Sequence, residues 1–164
     1  MSVYLIASMS KDGVIGVENR LPWDIPLDLK WFKMNTTEGA VIMGRKTWES
    51  LPIHPLPNRK NIVVSRHRNS TDSTSGEYWC NTITEAMQIA GDSSTYIIGG
   101  GEIFHSAQLL QLVDHFILTH VDTTFDSKYL TTLSVPIGRK IIWTSPTLVQ
   151  NGLSFHFELS TLKK

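Results

Sequence analysis

The 164-residue chain has a single cysteine, no net charge and no long apolar run. One thiol excludes an internal disulfide and any zinc site built from several cysteines, which leaves Cys80 as a small apolar residue of the interior. Fifteen basic and fifteen acidic side chains cancel, so no overall field draws the chain to nucleic acid or to an acidic membrane. Any anion has to be caught by a local cluster. No stretch approaches the roughly 20 apolar residues of a membrane span. The opening MSVYLIASMSKDG lacks the basic start, long apolar core and cleavage site of a secretory signal, and its VYLIASM run reads as a strand. A soluble, cytoplasmic setting is expected.

Several familiar chemistries are missing as well. Residues 99–104 read GGGEIF, not G-x-G-x-x-G, and the chain has no G-x-x-x-x-G-K-[ST], no HExxH and no G-x-S-x-G. These absences argue against the usual dinucleotide fold, a P-loop, a zinc protease and a serine hydrolase. Six histidines are scattered without metal-ligand spacing, and His156, between Phe155 and Phe157, reads as a structural residue of a strand.

What is present is an ordinary globular balance, 41% apolar and 18% charged, in a chain long enough to bury roughly 70% of its unfolded surface. Near-continuous apolar runs at 3–9, 39–44, 60–65, 94–99 and 115–121 alternate with helical patterns at 25–35, 45–51, 82–90 and 102–110. Strands of that kind, separated by helices, imply a largely parallel sheet covered on both faces. The tail differs: RKIIWTS (139–145) and LSFHFEL (153–159) flank a connection with proline, asparagine and glycine, an antiparallel hairpin closing one edge. One α/β domain is expected.

In open parallel sheets ligands bind beyond the carboxyl ends of the strands. Three such ends carry suitable chemistry. VIMG runs into Arg45, Lys46 and Thr47, IVVS into Arg66, His67 and Arg68, and YIIG into Gly100, Gly101 and Glu102. Helix N-termini, cations and side-chain-free backbone on one rim suit a phosphorylated ligand. Residues 21–32, LPWDIPLDLKWF, add a different feature. Asp24 is placed to cap a helix with Pro26 in its first turn, and Asp28 falls among Leu27, Leu29, Trp31 and Phe32 on the face expected to meet the core. A lone carboxylate there requires a reason.

Taken together, the IAS and GVIG segments near the start, LPWDIPLDLKWF, VIMGRKTWESL, LPNRKNIVVSR, IIGGGEIF and LTHVD resemble the dihydrofolate reductase family, in order and approximate spacing over almost the whole chain. The resemblance implies a single α/β domain with a central eight-stranded, mostly parallel sheet, an antiparallel C-terminal hairpin and helices on both faces. It also implies hydride transfer from NADPH to 7,8-dihydrofolate, in a cytoplasmic, monomeric enzyme that binds antifolates and neither nucleic acid nor membrane. Asp28 matches the ionisable residue of the pterin pocket. A helix dipole would favour its charged form by roughly 0.3–1 kcal/mol. Burial opposes this by up to about 3–5 pKa units, so a closed site raises its pKa.

Other roles follow from the resemblance position by position. Asp28, Trp23 and Thr119 form the catalytic set. Ile6, Phe32, Leu51, Leu56, Arg59 and Ile98 join Asp28 and Thr119 around the substrate, with Arg59 gripping the glutamyl α-carboxylate. The cofactor is met by Ala7, Ser8, Ile15, Gly16 and Asn19 around the nicotinamide. Gly44, Arg45, Lys46, Thr47, Gly99, Gly100, Gly101, Glu102, Ile103 and Phe104 lie along its phosphates and ring, and Ser65 and Arg66 at the adenosine 2′-phosphate. Residues 10–24 correspond to a lid, with Gly13 and Gly16 as its flexible points. Three departures stand out. LPIHPLPN (51–58) has a changed proline pattern, Phe104 replaces a frequent tyrosine, and DTTFDSKYL (122–130) lacks the Gly-Asp pair that often holds the lid, which leaves Asp126 or Ser127 for that task. A reductase of ribosylated pyrimidines is the rival within the fold, though it needs no glutamate clamp. A non-catalytic folate- or nucleotide-binding protein is the rival outside it.

Overall fold

The computed structural model describes residues 2–17, 22–67, 75–125 and 130–162. In chain order the elements are β1 (Val3–Ser10), β2 (Val14–Val17), α1 (Pro26–Thr36), β3 (Ala40–Gly44), α2 (Arg45–Ser50), β4 (Lys60–Val64), β5 (Tyr78–Cys80), α3 (Ile83–Ala90), β6 (Thr95–Gly99), α4 (Gly101–Leu109), β7 (His115–Val121), β8 (Leu130–Thr132), β9 (Lys140–Thr144), β10 (Leu148–Gln150) and β11 (Leu153–Thr161). The five apolar runs are β1, β3, β4, β6 and β7, five of the six strands with a neighbour on each side. Their side chains are buried on both faces, most completely in β3, where Ala40 to Met43 have no exposed surface.

Eight strands follow one path, β10–β11–β7–β1–β6–β3–β4–β5, and β9 adds a ninth beside β11. The pairs from β7 through β5 are parallel, while β11 runs antiparallel to β7, β9 and β10. The edge is split into β9 and β10 around Pro146, which has no N–H to give to a ladder. Asn151 and Gly152, both at positive φ, make the two-residue turn between β10 and β11, the conformation that a tight hairpin with right-handed twist requires. Four short strands, β2, β5, β8 and β10, have three or four residues each, too few to show a period in sequence. β2 and β8 pair as a separate two-stranded sheet.

One face of the main sheet carries the largest core, in which Leu5, Ile42, Ile62, Ile97, Phe116 and Leu118 meet Ile83, Ala86 and Ala90 of α3 and Phe104 and Ala107 of α4. Thr82 caps α3, its hydroxyl accepting from Glu85 N–H at 3.1 Å. The opposite face holds two separate clusters. Val41, Met43, Trp48, Val63 and Trp79 gather over β3, β4 and β5, and Ile25, Val121, Phe155 and Phe157 gather beneath α1 over β7 and β11. Trp31 of α1 stacks on Phe157 with centroids 4.4 Å apart and planes 12° apart. Strand β1 runs between these clusters, so the residues it turns to this face, Ile6 and Ser8, line the floor of a cleft.

Candidate active site

α1 brings a carboxylate to this cleft, and the way it starts differs from the sequence expectation. Ile25, not Asp24, is the N-cap, and no side chain of the segment itself caps the helix. One of its free donors is met from the far end of the chain, and a second bond ties down the residue before the N-cap. Gln150 Oε1 accepts from Leu27 N–H at 2.7 Å, and Asn151 Nδ2 donates to the Asp24 carbonyl at 2.9 Å. The hairpin turn therefore does what a local cap does elsewhere. Pro26 occupies the first helical position as expected, but Leu29 is 54% exposed and does not face the core.

Asp28, one turn into the helix, is half-buried. Thr119 of β7 donates its hydroxyl to Asp28 Oδ1 at 2.6 Å. Burial pushes the carboxyl above its ordinary value, and the hydroxyls of Thr119 and Ser8 pull back without cancelling that effect. Ser8 of β1 is the register partner of Thr119, so its hydroxyl stands on the same face of the sheet beside the Thr119–Asp28 bond. Ser8 Oγ also accepts from Trp23 Nε1 at 3.0 Å.

The far wall is built from α2 and the turn before β4. Leu51, Leu56 and Ile98 pack against the Trp48 cluster, and Ile6 lies buried in β1. Phe32, one turn beyond Asp28 in α1, is half-buried. Arg59 is the unusual member. Its Nε and Nη1 are buried without a hydrogen-bond partner among the described residues, and burial lowers its pKa. Asn61 shapes this turn: it accepts from Leu56 N–H at 2.8 Å and donates to the carbonyls of Leu56 and Arg59 at 2.9 and 3.0 Å. An unpaired guanidinium with a planar fork of donors suits a carboxylate.

The three rim segments lie side by side, because β6, β3 and β4 are neighbours in the sheet. Gly44 caps α2 and Gly100 caps α4, in both cases with no side-chain hydrogen bond, so the first N–H groups stay free for another acceptor. Space here is kept by missing Cβ atoms. One at Gly44 would stand 3.3 Å from Ile103 Cγ1, one at Gly99 3.4 Å from Thr47 Oγ1, and one at Gly101 2.8 Å from Thr131 Cγ2. Arg45, Lys46, Arg66 and Glu102 are exposed at this edge. Arg66 lies 3.7 Å from Glu102, and Arg45 2.6 Å from Glu49. Ser65 is buried, its hydroxyl turned to His67 N–H at 3.4 Å. Ala7 and Ile15 pack on the main core, and Gly16 is buried in β2. Phe104 points into that core, 3% exposed. Asn19, Arg68, Asp126 and Ser127 fall outside the described residues.

The family model for dihydrofolate reductase matches residues 2–133. The chain belongs to the dihydrofolate reductase family. It is 44% identical over 123 residues to a dihydrofolate reductase of Buchnera aphidicola subsp. Schizaphis graminum, covering 74% of this chain and 73% of that one. It is 41% identical over 127 residues to the Haemophilus influenzae dihydrofolate reductase, covering 77% and 76%. A bifunctional dihydrofolate reductase-thymidylate synthase of Paramecium tetraurelia is 33% identical over 156 residues, which are 94% of this chain and 33% of that protein.

Some contacts of this dihydrofolate reductase family member were beyond the reach of sequence reasoning. Asp12 Oδ2 accepts from Phe125 N–H at 3.2 Å, Lys11 N–H donates to the Thr123 carbonyl at 3.0 Å, and Lys11 Nζ lies 2.5 Å from Asp122. Phe125 also meets Trp23, with ring centroids 5.8 Å apart. The start of the 10–24 segment is thus fixed to residues 122–125. Asn61 was missed too, although a lone amide in the run KNIVV was a visible signal. Cys80 is buried, its thiol pushed up to about 11 by burial. Among the described residues no group of three His, Cys, Asp or Glu could hold a metal ion, and no helix is long and apolar enough to cross a membrane.

Proposed function

We propose that this protein is an NADPH-dependent dihydrofolate reductase that converts 7,8-dihydrofolate to 5,6,7,8-tetrahydrofolate. The observation that carries the reading is Asp28: a half-buried carboxylate with a raised pKa, held by Thr119 at the C-terminal rim of a parallel sheet. In this reading Asp28 accepts from the 2-amino group and N3 of the pterin and favours protonation at N5, with the proton arriving from solvent. Ile6 and Ile98 offer backbone carbonyls beside the ring, and Phe32, Leu51 and Leu56 enclose the aminobenzoyl group. Arg59 takes the glutamyl α-carboxylate, a reading supported by its two buried, unpartnered guanidinium nitrogens.

The rim fits a phosphorylated dinucleotide. Its uncapped helix starts at Gly44 and Gly100 and the close spacing around Gly99 and Thr47 leave backbone donors without side-chain obstruction. Arg45, Lys46 and Thr47 would hold the phosphates, Gly99 to Ile103 would lie against the pyrophosphate, and Ser65 and Arg66 would meet the 2′-phosphate. Ala7, Ser8, Ile15, Gly16 and Asn19 would surround the nicotinamide, with Phe104 turned into the core behind them. When bound, NADPH supplies the hydride. Trp23, packed on Phe125, keeps water away from one end of the cleft.

The protein acts as a cytoplasmic monomer, without nucleic acid or membrane partners. Its balanced charge supports the absence of nucleic-acid and membrane partners. Loss of NADPH absorbance on adding 7,8-dihydrofolate tests the proposal, run beside NADH and a methotrexate control. Rapid, methotrexate-sensitive oxidation with NADPH preferred is expected. Stabilisation by methotrexate without oxidation would make this a folate-binding protein instead.

A further inference from the structure

Trp23, Ser8, Asp28 and Thr119 come from four different segments and share one small set of protons. An indole N–H only donates, an ionised carboxylate only accepts, and a hydroxyl does one of the first and up to two of the second. Trp23 Nε1 donates to Ser8 Oγ at 3.0 Å and Thr119 donates to Asp28 Oδ1 at 2.6 Å. Ser8 therefore accepts from Trp23 and keeps its own proton to give. Strand register sets the Ser8 hydroxyl beside the Thr119–Asp28 bond, since Ser8 and Thr119 are direct partners in β1 and β7, turned to the same face of the sheet.

We propose that Ser8 is a positioning residue of the active site, linking Trp23 to Asp28 by a one-way chain of hydrogen bonds that favours the ionised carboxylate. The proposal rests on Asp28 being the working carboxylate and goes beyond it, because Ser8 is otherwise read as a neighbour of the nicotinamide. The chain is direct: a side-chain hydroxyl fixed to a strand replaces what a mobile solvent molecule could do, and it costs no immobilisation on each turnover. Protonating Asp28 weakens it as an acceptor, so hydroxyls that donate to it favour the ionised form. The hydroxyl of Ser8 lowers the carboxyl's pKa against the stronger upward push of burial. Among the described residues, burial and the two hydroxyls make up that balance, and the nearest charged residues of the same segment, Asp24 and Lys30, are exposed.

The test is the titration of the Asp28 carboxyl, followed by carbon NMR in the ligand-free protein, for wild type, Ser8→Ala and Ser8→Thr. The midpoint rises by about one pH unit in Ser8→Ala, the size set by losing one hydrogen bond to a charged group. It returns to the wild-type value in Ser8→Thr, which restores the hydroxyl. The indole N–H resonance of Trp23, assigned through Trp23→Phe, moves in Ser8→Ala and returns in Ser8→Thr. A purely structural serine would lower the unfolding temperature in Ser8→Ala and leave the carboxyl midpoint in place; that result would overturn the proposal. So would a midpoint that rises equally in both variants. Because no substrate is present, the outcome is independent of turnover. A shifted midpoint in a protein that does not oxidise NADPH would uphold Ser8 and defeat the assigned reaction.

Discussion

Arg139, just before β9, and Glu158 of β11 form a buried ion pair at the antiparallel end of the sheet. Arg139 Nη2 lies 3.1 Å from Glu158 Oε2, and the two side chains are 13% and 6% exposed. Ser160 donates to the same carboxylate at 2.6 Å, and His120 Nε2 lies 3.0 Å from its other oxygen. Burial pushes the Glu158 carboxyl up, but the hydrogen bonds of Ser160, Arg139 and His120, together with the guanidinium charge, outweigh it and hold the pKa below its ordinary value. Its stabilising contribution is therefore present above the unfolded carboxylate pKa and is lost as pH falls through the folded one. Glu158→Ala, which leaves Arg139 buried and unpaired, is expected to cost about 3–5 kcal/mol in urea unfolding at pH 7. The difference from wild type should shrink between about pH 4.5 and the point of acid unfolding. A loss under 1 kcal/mol at pH 7 would show that the pair contributes little.

Asp28 has the opposite sign. Its folded pKa is raised, chiefly by burial, so its charge costs stability above the folded pKa and costs nothing below the unfolded one. Asp28→Asn should unfold at higher temperature at pH 7, by the roughly 0.5–2 kcal/mol typical of relieving a functional site, and the gain should vanish toward pH 3. The same variant should lose about 10²–10⁴ in kcat at neutral pH, recover part of it in acid, where the substrate arrives protonated, and bind NADPH as before. Unchanged neutral-pH turnover would remove Asp28 from the mechanism.

Arg59→Lys tests the substrate clamp. Lysine keeps the charge and loses the fork, so KM for dihydrofolate should rise about 10- to 100-fold, or roughly 1.4–2.8 kcal/mol. The NADPH Kd should not move. Removing a guanidinium with two buried, unpartnered nitrogens should leave stability equal or higher, which separates loss of binding from damage to the fold. A KM within twofold of wild type would place the carboxylate elsewhere.

Arg66 is exposed and loosely paired with Glu102 at 3.7 Å. Arg66→Ala should reduce the preference for NADPH over NADH by about tenfold or more, with kcat unchanged and stability within about 0.5 kcal/mol. The loss should be smaller at high salt, where exposed charges are screened. An unaltered cofactor preference would exclude Arg66 as the reader of the 2′-phosphate.

Gly99 sits at φ +132, and a Cβ there would approach Thr47 Oγ1 to 3.4 Å. Gly99→Ala should cost about 1–3 kcal/mol of stability and weaken NADPH binding, read by thermal unfolding with and without cofactor. Gly100, at φ −90 with 3.6 Å to the same oxygen, should lose cofactor affinity with a smaller stability cost when replaced by alanine. Equal stability losses would show that backbone conformation is not what requires Gly99.

The sequence by itself determined the parallel sheet, its helices and the rim. Inner strands such as AVIMG bury both faces, so their apolar runs are continuous; α3 announces itself with Thr82 and Glu85; and strand ends followed by glycines or cations are visible wherever they occur. These are local signals, set within a few residues by steric and hydrophobic preference. The segments 45–51, 82–90 and 102–110 became helices within a residue or two of their expected bounds for the same reason. Only the tertiary structure decided how the site is wired. Gln150 caps α1 from 123 positions away, replacing the local Asp24. Thr119 reaches Asp28 across 91 residues. Ser8 finds Trp23, Phe104 turns into the core, and Arg59 buries two guanidinium nitrogens that have no partner among the described residues. A hydrogen bond forms wherever donor and acceptor meet at about 3 Å, and which pair meets is set by sheet order and register, which no window of neighbouring residues contains.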